Sequence, residues 1–208
     1  MWSQMKILLL ITALVLSVPA TAGTNLIINS GFEDPAGVST WTPFSPAVVP
    51  GWNGNNTVEI WKTGFNSITS HEGIQHAELN STGSAPFTLF QDISTINGQT
   101  YQFSFAYRAR SSSSESFRVS ASNADGDMLS QLVDDHIVGQ WSTFTQTFMA
   151  TSGLTTISFA SVAPGGTVGN FLDDVRVSAV PLPAAAPLFA SALGLLGFLQ
   201  SRRRSRTS

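Results

Sequence analysis

Apolar and polar residues alternate at a spacing of two through the middle of this chain, and that period builds strands rather than helices. From 100 to 110, Tyr101, Phe103, Phe105, Tyr107 and Ala109 share one face, while Gln102, Ser104, Ala106, Arg108 and Arg110 share the other. Phe117, Val119 and Ala121 alternate with Arg118 and Ser120, Phe144 and Phe148 with Thr145 and Thr147, and Ile157 and Phe159 with Ser158 and Ala160. The segments 26–28, 58–61, 74–79, 87–93 and 171–177 read as further strands. Between them stand turn signals: Asp34-Pro35, Asn53-Gly54, Asn97-Gly98, Asp125-Gly126 and Pro164-Gly165-Gly166. No segment of useful length repeats at 3.6 residues. Nine or so short strands bounded by turns predict an all-β jelly-roll sandwich over residues 23–179. Ser111 to Ser114 reads as a flexible loop within it.

The two ends follow other rules. Residues 1–22 have the parts of an export signal: Lys6, an apolar stretch over 7–18, and the small-x-small Ala20-Thr21-Ala22. Near the other end, Val180-Pro181-Leu182-Pro183-Ala184 leads into an apolar run over 185–199, followed by Arg202, Arg203, Arg204 and Arg206. A helix over 181–199 spans about 28 Å, just enough for the hydrocarbon layer. The arginines then stay cytoplasmic, which puts the middle of the chain outside. Pro181, Pro183 and Pro187 keep the start of that segment extended.

Those three tail parts, in that order over 180–208, resemble the VPLPA variant of the PEP-CTERM sorting signal of Gram-negative bacteria. The resemblance implies processing near the proline motif by an exosortase, a membrane transpeptidase. It also implies a membrane-anchored stage, then delivery to the cell surface or the exopolysaccharide matrix.

Composition narrows the partners. Of the charged residues within 23–180, five are basic and thirteen acidic, a net charge of −8 that excludes nucleic acid as a natural partner. The chain has no cysteine, so disulfides, thiolate catalysis and Cys-type zinc or iron–sulfur sites are excluded.

A second resemblance covers nearly all of 23–179. It rests on the order of Asn25-Leu26-Ile27-Ile28-Asn29-Ser30-Gly31-Phe32-Glu33, Val49-Pro50-Gly51-Trp52, Val58-Glu59-Ile60-Trp61, Gly73-Ile74-Gln75-His76-Ala77-Glu78-Leu79-Asn80, Gln91-Asp92-Ile93 and Phe171-Leu172-Asp173-Asp174-Val175. This order resembles galactose-binding-domain-like jelly rolls of the DUF642 type and the carbohydrate-binding modules near families 4, 6 and 22. The resemblance implies two packed antiparallel sheets, a structural Ca²⁺ and, in many members, sugar binding.

For the calcium, Glu33 follows the first strand. By alternation Asp173 shares the core-facing side with Phe171, Val175 and Val177, where a carboxylate is costly unless paired or bound to a metal. Calcium accepts carboxylates and carbonyls with tolerant geometry, and one ion between Glu33 and Asp173 would clip the two ends of the domain together. The resembling modules place a calcium where the acid of the first strand meets the Asp of the last. Asp174 is the alternative ligand, and satisfaction by backbone N–H groups or by Arg176 is the alternative without metal. Asp125-Gly126-Asp127 lacks the remaining ligands of a calcium loop and reads as a turn.

For the sugar, the aromatic candidates are Trp41, Trp52, Trp61 and Trp141. If the strands holding them are neighbours, Trp61, His76, Glu78 and Asn80 share one face, with Arg108 and Arg110 beside them. A flat ring with amide, carboxylate and guanidinium groups suits a saccharide, and an ordinary solvated sheet face carries the same residue types. His71, His76 and His136 sit in no metalloprotease spacing, and neither a nucleophile elbow nor a P-loop is present. The expectation is a non-catalytic, exported protein that binds polysaccharide. A self-associating matrix protein without a sugar ligand is the first alternative and a polysaccharide hydrolase the second.

Overall fold

The computed structural model describes residues 23–82 and 86–181. The export signal over 1–22, Leu182, Pro183 and Ala184 of the sorting motif, the apolar run over 185–199 and the arginine tail lie outside the described residues. Among the described residues no helix is long and apolar enough to cross a membrane.

Eleven strands form the described part: β1 (Trp41–Phe44), β2 (Asn53–Gly54), β3 (Val58–Lys62), β4 (Gln75–Glu78), β5 (Thr88–Ser94), β6 (Thr100–Arg108), β7 (Ser116–Asn123), β8 (Gly126–Val133), β9 (Ser142–Met149), β10 (Leu154–Ala163) and β11 (Phe171–Ala179). They pair in two antiparallel sheets. One has the order β1-β3-β4-β11-β6-β9 and the other β2-β5-β10-β7-β8. The alternating side of each central strand supplies the core between them. Val58 and Ile60, Ala77 and Leu79, Phe103 and Phe105, Val119, Ile157 and Phe159, and Leu172, Val175 and Val177 all lie in one buried cluster. Ring contacts knit the core: Phe105 stacks on Phe144 of its own sheet at 4.7 Å and stands edge-on to Phe159 of the other sheet at 5.0 Å.

The first segment reaches the last strand, as a closed sandwich requires. It does so through side-chain amides rather than as a regular strand. Asn25 accepts from Val177 N–H and donates to the Val175 carbonyl. Gln91 bonds both N–H and C=O of Ile28. Leu26 N–H and Val175 N–H donate to the Val177 and Ser30 carbonyls. Phe32 then enters the core, stacked on Trp52 at 5.0 Å, and the Trp52 indole N–H donates to the Asn29 carbonyl.

Two sequence expectations change. The alternation in 171–177 is interrupted by a register shift between Asp173 and Arg176, with Asp174 at φ 48°. Leu172, Val175 and Val177 therefore face the core, and Phe171 and Asp173 face the opposite side of the sheet. The serine run is held rather than loose. The Glu115 carboxylate, 1 % exposed, accepts N–H bonds from Arg110, Ser111, Ser112 and Asn170. Burial alone would raise its pKa, but these backbone donors hold it below the usual carboxylate range.

Candidate functional site

The outer face of the six-stranded sheet collects the residues singled out for sugar binding, and it closes over them. In register, Glu59 lies opposite Glu78 and Trp61 opposite His76; Glu78, Phe171 and Arg108 form one row across β4, β11 and β6. Trp61, His76, Glu78 and Asn80 are 1 %, 0 %, 2 % and 0 % exposed. Two loops cover them. The segment 63–74 folds back on the sheet, where Ile68 joins Trp61 and Phe171 in a second apolar cluster flanked by Phe65 and Trp141. The segment 164–170 is tied down by Asn80, whose amide donates to the Pro164 and Gly166 carbonyls and accepts from Asn170 and Ser161. The expected open patch is thus an internal layer: the strands are neighbours, but loops occupy the space a sugar ring would take. Arg108 alone of the five named residues reaches the rim.

Within that layer two carboxyls meet. Glu59 accepts the Trp61 indole N–H at 2.8 Å. Glu78 accepts from Arg110 at 2.8 and 2.9 Å and from Gly169 N–H at 2.7 Å. The Arg110 guanidinium also lies 4.5 Å over the Trp61 ring. Burial, then the hydrogen bond to Glu59, pushes Glu78 up to about 9, against the pull of Gly169 and Arg110. Arg110 favours the ionised form while burial and Glu59 favour the protonated one. Gly169 N–H adds to the pull of Arg110, so opposing influences act on this one buried carboxyl. Two neighbouring carboxyls are what glycoside hydrolysis uses, but this pair is buried and its oxygens are spoken for by Trp61, Arg110 and Gly169.

Glu33 and Asp173 converge on the same loop. Glu33 Oε1 accepts from Ile74 and Gln75 N–H, and Asp173 Oδ2 accepts from His71 and Glu72 N–H. Asp173 Oδ1 takes the Asp174 N–H. A Cβ on Gly31 would lie 3.7 Å from Asp173 Oδ1 and 3.9 Å from Glu33 Cγ, so both side chains flank that glycine. Asp174 is turned away into pairs with Arg176 and His71. Burial pushes Asp173 up to about 7, against three backbone N–H bonds. Among the described residues no ion pair reaches Glu33 or Asp173, and no group of three or more His, Cys, Asp or Glu side chains is placed to hold a metal. Asp173 is thus satisfied by backbone N–H groups on both oxygens, the alternative without metal, while Glu33 Oε2 has no hydrogen bond among the described residues.

The opposite surface, the outer face of the five-stranded sheet, stays open. Across β2, β5, β10, β7 and β8 its central row runs Asn53, Phe90, Ser158, Ser120, Ser130. One neighbouring row is Thr88, Ala160, Arg118, Leu132, and the other is Asp92, Thr156, Ser122, Asp127. None of these side chains is buried, while the alternate residues Leu89, Ile157, Phe159 and Val119 fill the core. Five strands span about 19 Å. Small side chains occupy the middle of that width, with Phe90 rising on one flank and Arg118 and Leu132 on the other. Ser120 and Ser158 bond each other at 2.8 Å, and Thr156 donates to Asp92 at 2.6 Å. Sequence reasoning passed over this face because it looked for tryptophans; the usable signal was a lone Phe90 among small hydroxyl residues on outward positions.

Comparison with known proteins matches this geometry at the level of fold. A module, TmCBM61, solved in complex with β-1,4-galactotriose superposes with a TM-score of 0.55 at 20 % identity, over 76 % of this chain and 99 % of that one. An arabinose-bound α-L-arabinofuranosidase superposes with a TM-score of 0.54 at 15 % identity, over 80 % of this chain and 28 % of that one. No curated protein matches the sequence. Residues 25–178, which hold every strand just described but the end of the last, match the family model described as "Protein of unknown function (DUF642)", and the chain belongs to that family.

Proposed function

We propose that this is an exported, non-catalytic polysaccharide-binding protein whose sugar face is the outer side of the five-stranded sheet. The observation that carries the reading is the open row of small hydroxyl residues between Phe90 and Arg118. An aromatic face packs against the C–H side of a pyranose, while Ser120, Ser158, Thr156, Asp92 and Asn53 exchange hydrogen bonds with its hydroxyls. The floor is small enough for a chain of sugars to lie across the strands. The likeness of fold to a galactotriose-binding module supports a glycan of that general kind, and β-1,4-galactan is the first to test. Electrophoresis of residues 23–180 through gels containing single polysaccharides is the experiment. Retardation by at least one of them, lost in Phe90→Ala, supports the reading; no retardation in any gel overturns it.

Two further parts belong to the same reading. A Ca²⁺ held by Glu33 and Asp173 replaces the disulfide this chain cannot make, joining the opening segment to β11. The tail from Val180 onward directs exosortase processing and delivery to the surface or matrix of a Gram-negative cell.

A further inference from the structure

We propose that Arg108, with Trp141 beside it, is a subsite for the carboxylate of an acidic sugar, a uronate, on the six-stranded side of the molecule. This site is separate from the face assigned above and does not depend on it.

The argument starts from charge accounting. The described part holds five cations and thirteen acids. Lys62 and Arg118 are exposed to solvent and make no ion pair among the described residues, Arg118 bonding only Ser130 Oγ, whereas the half-buried arginines should find an anion. Arg110 is taken by Glu78, and Arg176 by Glu72 and Asp174. The Arg108 side chain makes no ion pair and no hydrogen bond among the described residues, and its Nε is buried without an acceptor. Leaving that one buried N–H unpaired costs about 1–3 kcal/mol, a cost that folding alone gives no reason to keep. A second orphan adjoins it. His76 Nε2 is buried with no partner, while its Nδ1 is engaged with Ser70. Burial and, next, the nearby Arg108 charge push His76 down to about 3, so its ring is neutral.

Trp141 completes the arrangement. Tyr107 pairs with Ser142 across β6 and β9, which puts Arg108 and Trp141 at neighbouring positions. The Trp141 ring stands edge-on to His76 at 5.6 Å and to His71 at 6.0 Å, and its N–H is used by the Thr69 carbonyl. A partly exposed indole fixed by its own N–H offers its ring to an apolar sugar face. A guanidinium fork beside it matches a carboxylate. The nearby acids do not compete: Glu78 faces Arg110, Asp174 faces Arg176, and Asp173 is occupied by three backbone N–H groups.

The test titrates the full chain with D-glucuronate, D-glucose and acetate, following Trp fluorescence and heat. Wild-type protein saturates with glucuronate and binds glucose and acetate at least ~10-fold more weakly, since one charge-assisted contact is worth about a factor of ten or more. Arg108→Gln loses glucuronate by the same factor, and Arg108→Lys, which keeps the charge without the fork, falls between. Because Arg108 satisfies nothing in the fold, Arg108→Gln keeps or raises the melting temperature. No saturation with glucuronate, unchanged affinity in Arg108→Gln, or a melting temperature lowered by that change overturns the proposal. Acetate binding as well as glucuronate overturns the sugar part by reducing the site to a bare anion hole. Phe90→Ala leaves glucuronate binding unchanged, which keeps this result apart from the polysaccharide face.

Discussion

The Arg110–Glu78 pair gives a quantitative test of the buried layer. Arg110→Met removes the guanidinium from a carboxylate that is itself fully buried, while the arginine is 25 % exposed. Breaking a buried pair from one side costs about 3–5 kcal/mol; partial exposure of the arginine places this one near about 3 kcal/mol. Losing the cation over Trp61 adds roughly 0.5–1 kcal/mol, and the methionine stem recovers part of that by packing. Glu78→Gln in the same background removes the stranded carboxyl and keeps a carbonyl for Gly169 N–H. The double variant is therefore more stable than Arg110→Met alone, with a coupling energy of about 1.5 kcal/mol or more. Urea unfolding of the four proteins at pH 7 measures all the terms. If Arg110→Met costs under about 1 kcal/mol, or the two changes simply add, the carboxyl pair is not held in the way described.

Three other expectations follow from the same contacts. Folded His76 refuses a proton that the unfolded chain accepts below about 6.5, so it contributes stability at neutral pH that is lost as pH falls toward about 3. The stability difference between wild type and His76→Gln then shrinks by up to about 1.4 kcal/mol per pH unit below pH 6, and a difference independent of pH refutes it. Glu115→Gln leaves two of four N–H groups facing an amide NH₂ and lowers stability by about 2–4 kcal/mol in urea melts; a loss below about 0.5 kcal/mol contradicts the role given to that carboxylate. Chelator lowers the melting temperature of the wild type and has no effect on Asp173→Asn, as binding linkage requires of a bound calcium. An unchanged wild-type melt in chelator counts against the ion.

The sandwich was legible because its central strands are amphipathic ribbons, and period-two patterning survives wherever a strand has one wet and one dry face. β8 escaped that reading for the opposite reason. As an edge strand over the rim of the core, only Val133 of its eight residues is buried, so it carries no alternation. β1 and β2 are short edge pieces of the same kind. The bulge at Asp174 was hidden too, since a single left-handed residue leaves no compositional mark, and it reversed the faces of Phe171 and Asp173. The sugar patch failed on a tertiary point. Alternation correctly grouped Trp61, His76, Glu78 and Asn80 on one face, but what lies over a face depends on loops from elsewhere. Here they are segments 63–74 and 164–170, pinned by backbone N–H bonds to Asp173, Glu33 and Glu78. Glu33 and Asp173 both bond the 71–75 segment, because the first and last segments of a sandwich lie side by side.

Phe90 is the point on which the polysaccharide face stands or falls. Affinity electrophoresis of wild type and Phe90→Ala, with melting curves to show that both are folded, measures it directly. The account predicts that wild type is retarded by a polysaccharide and that the variant migrates as in an empty gel. Equal retardation of the two folded proteins would place the sugar elsewhere on the molecule.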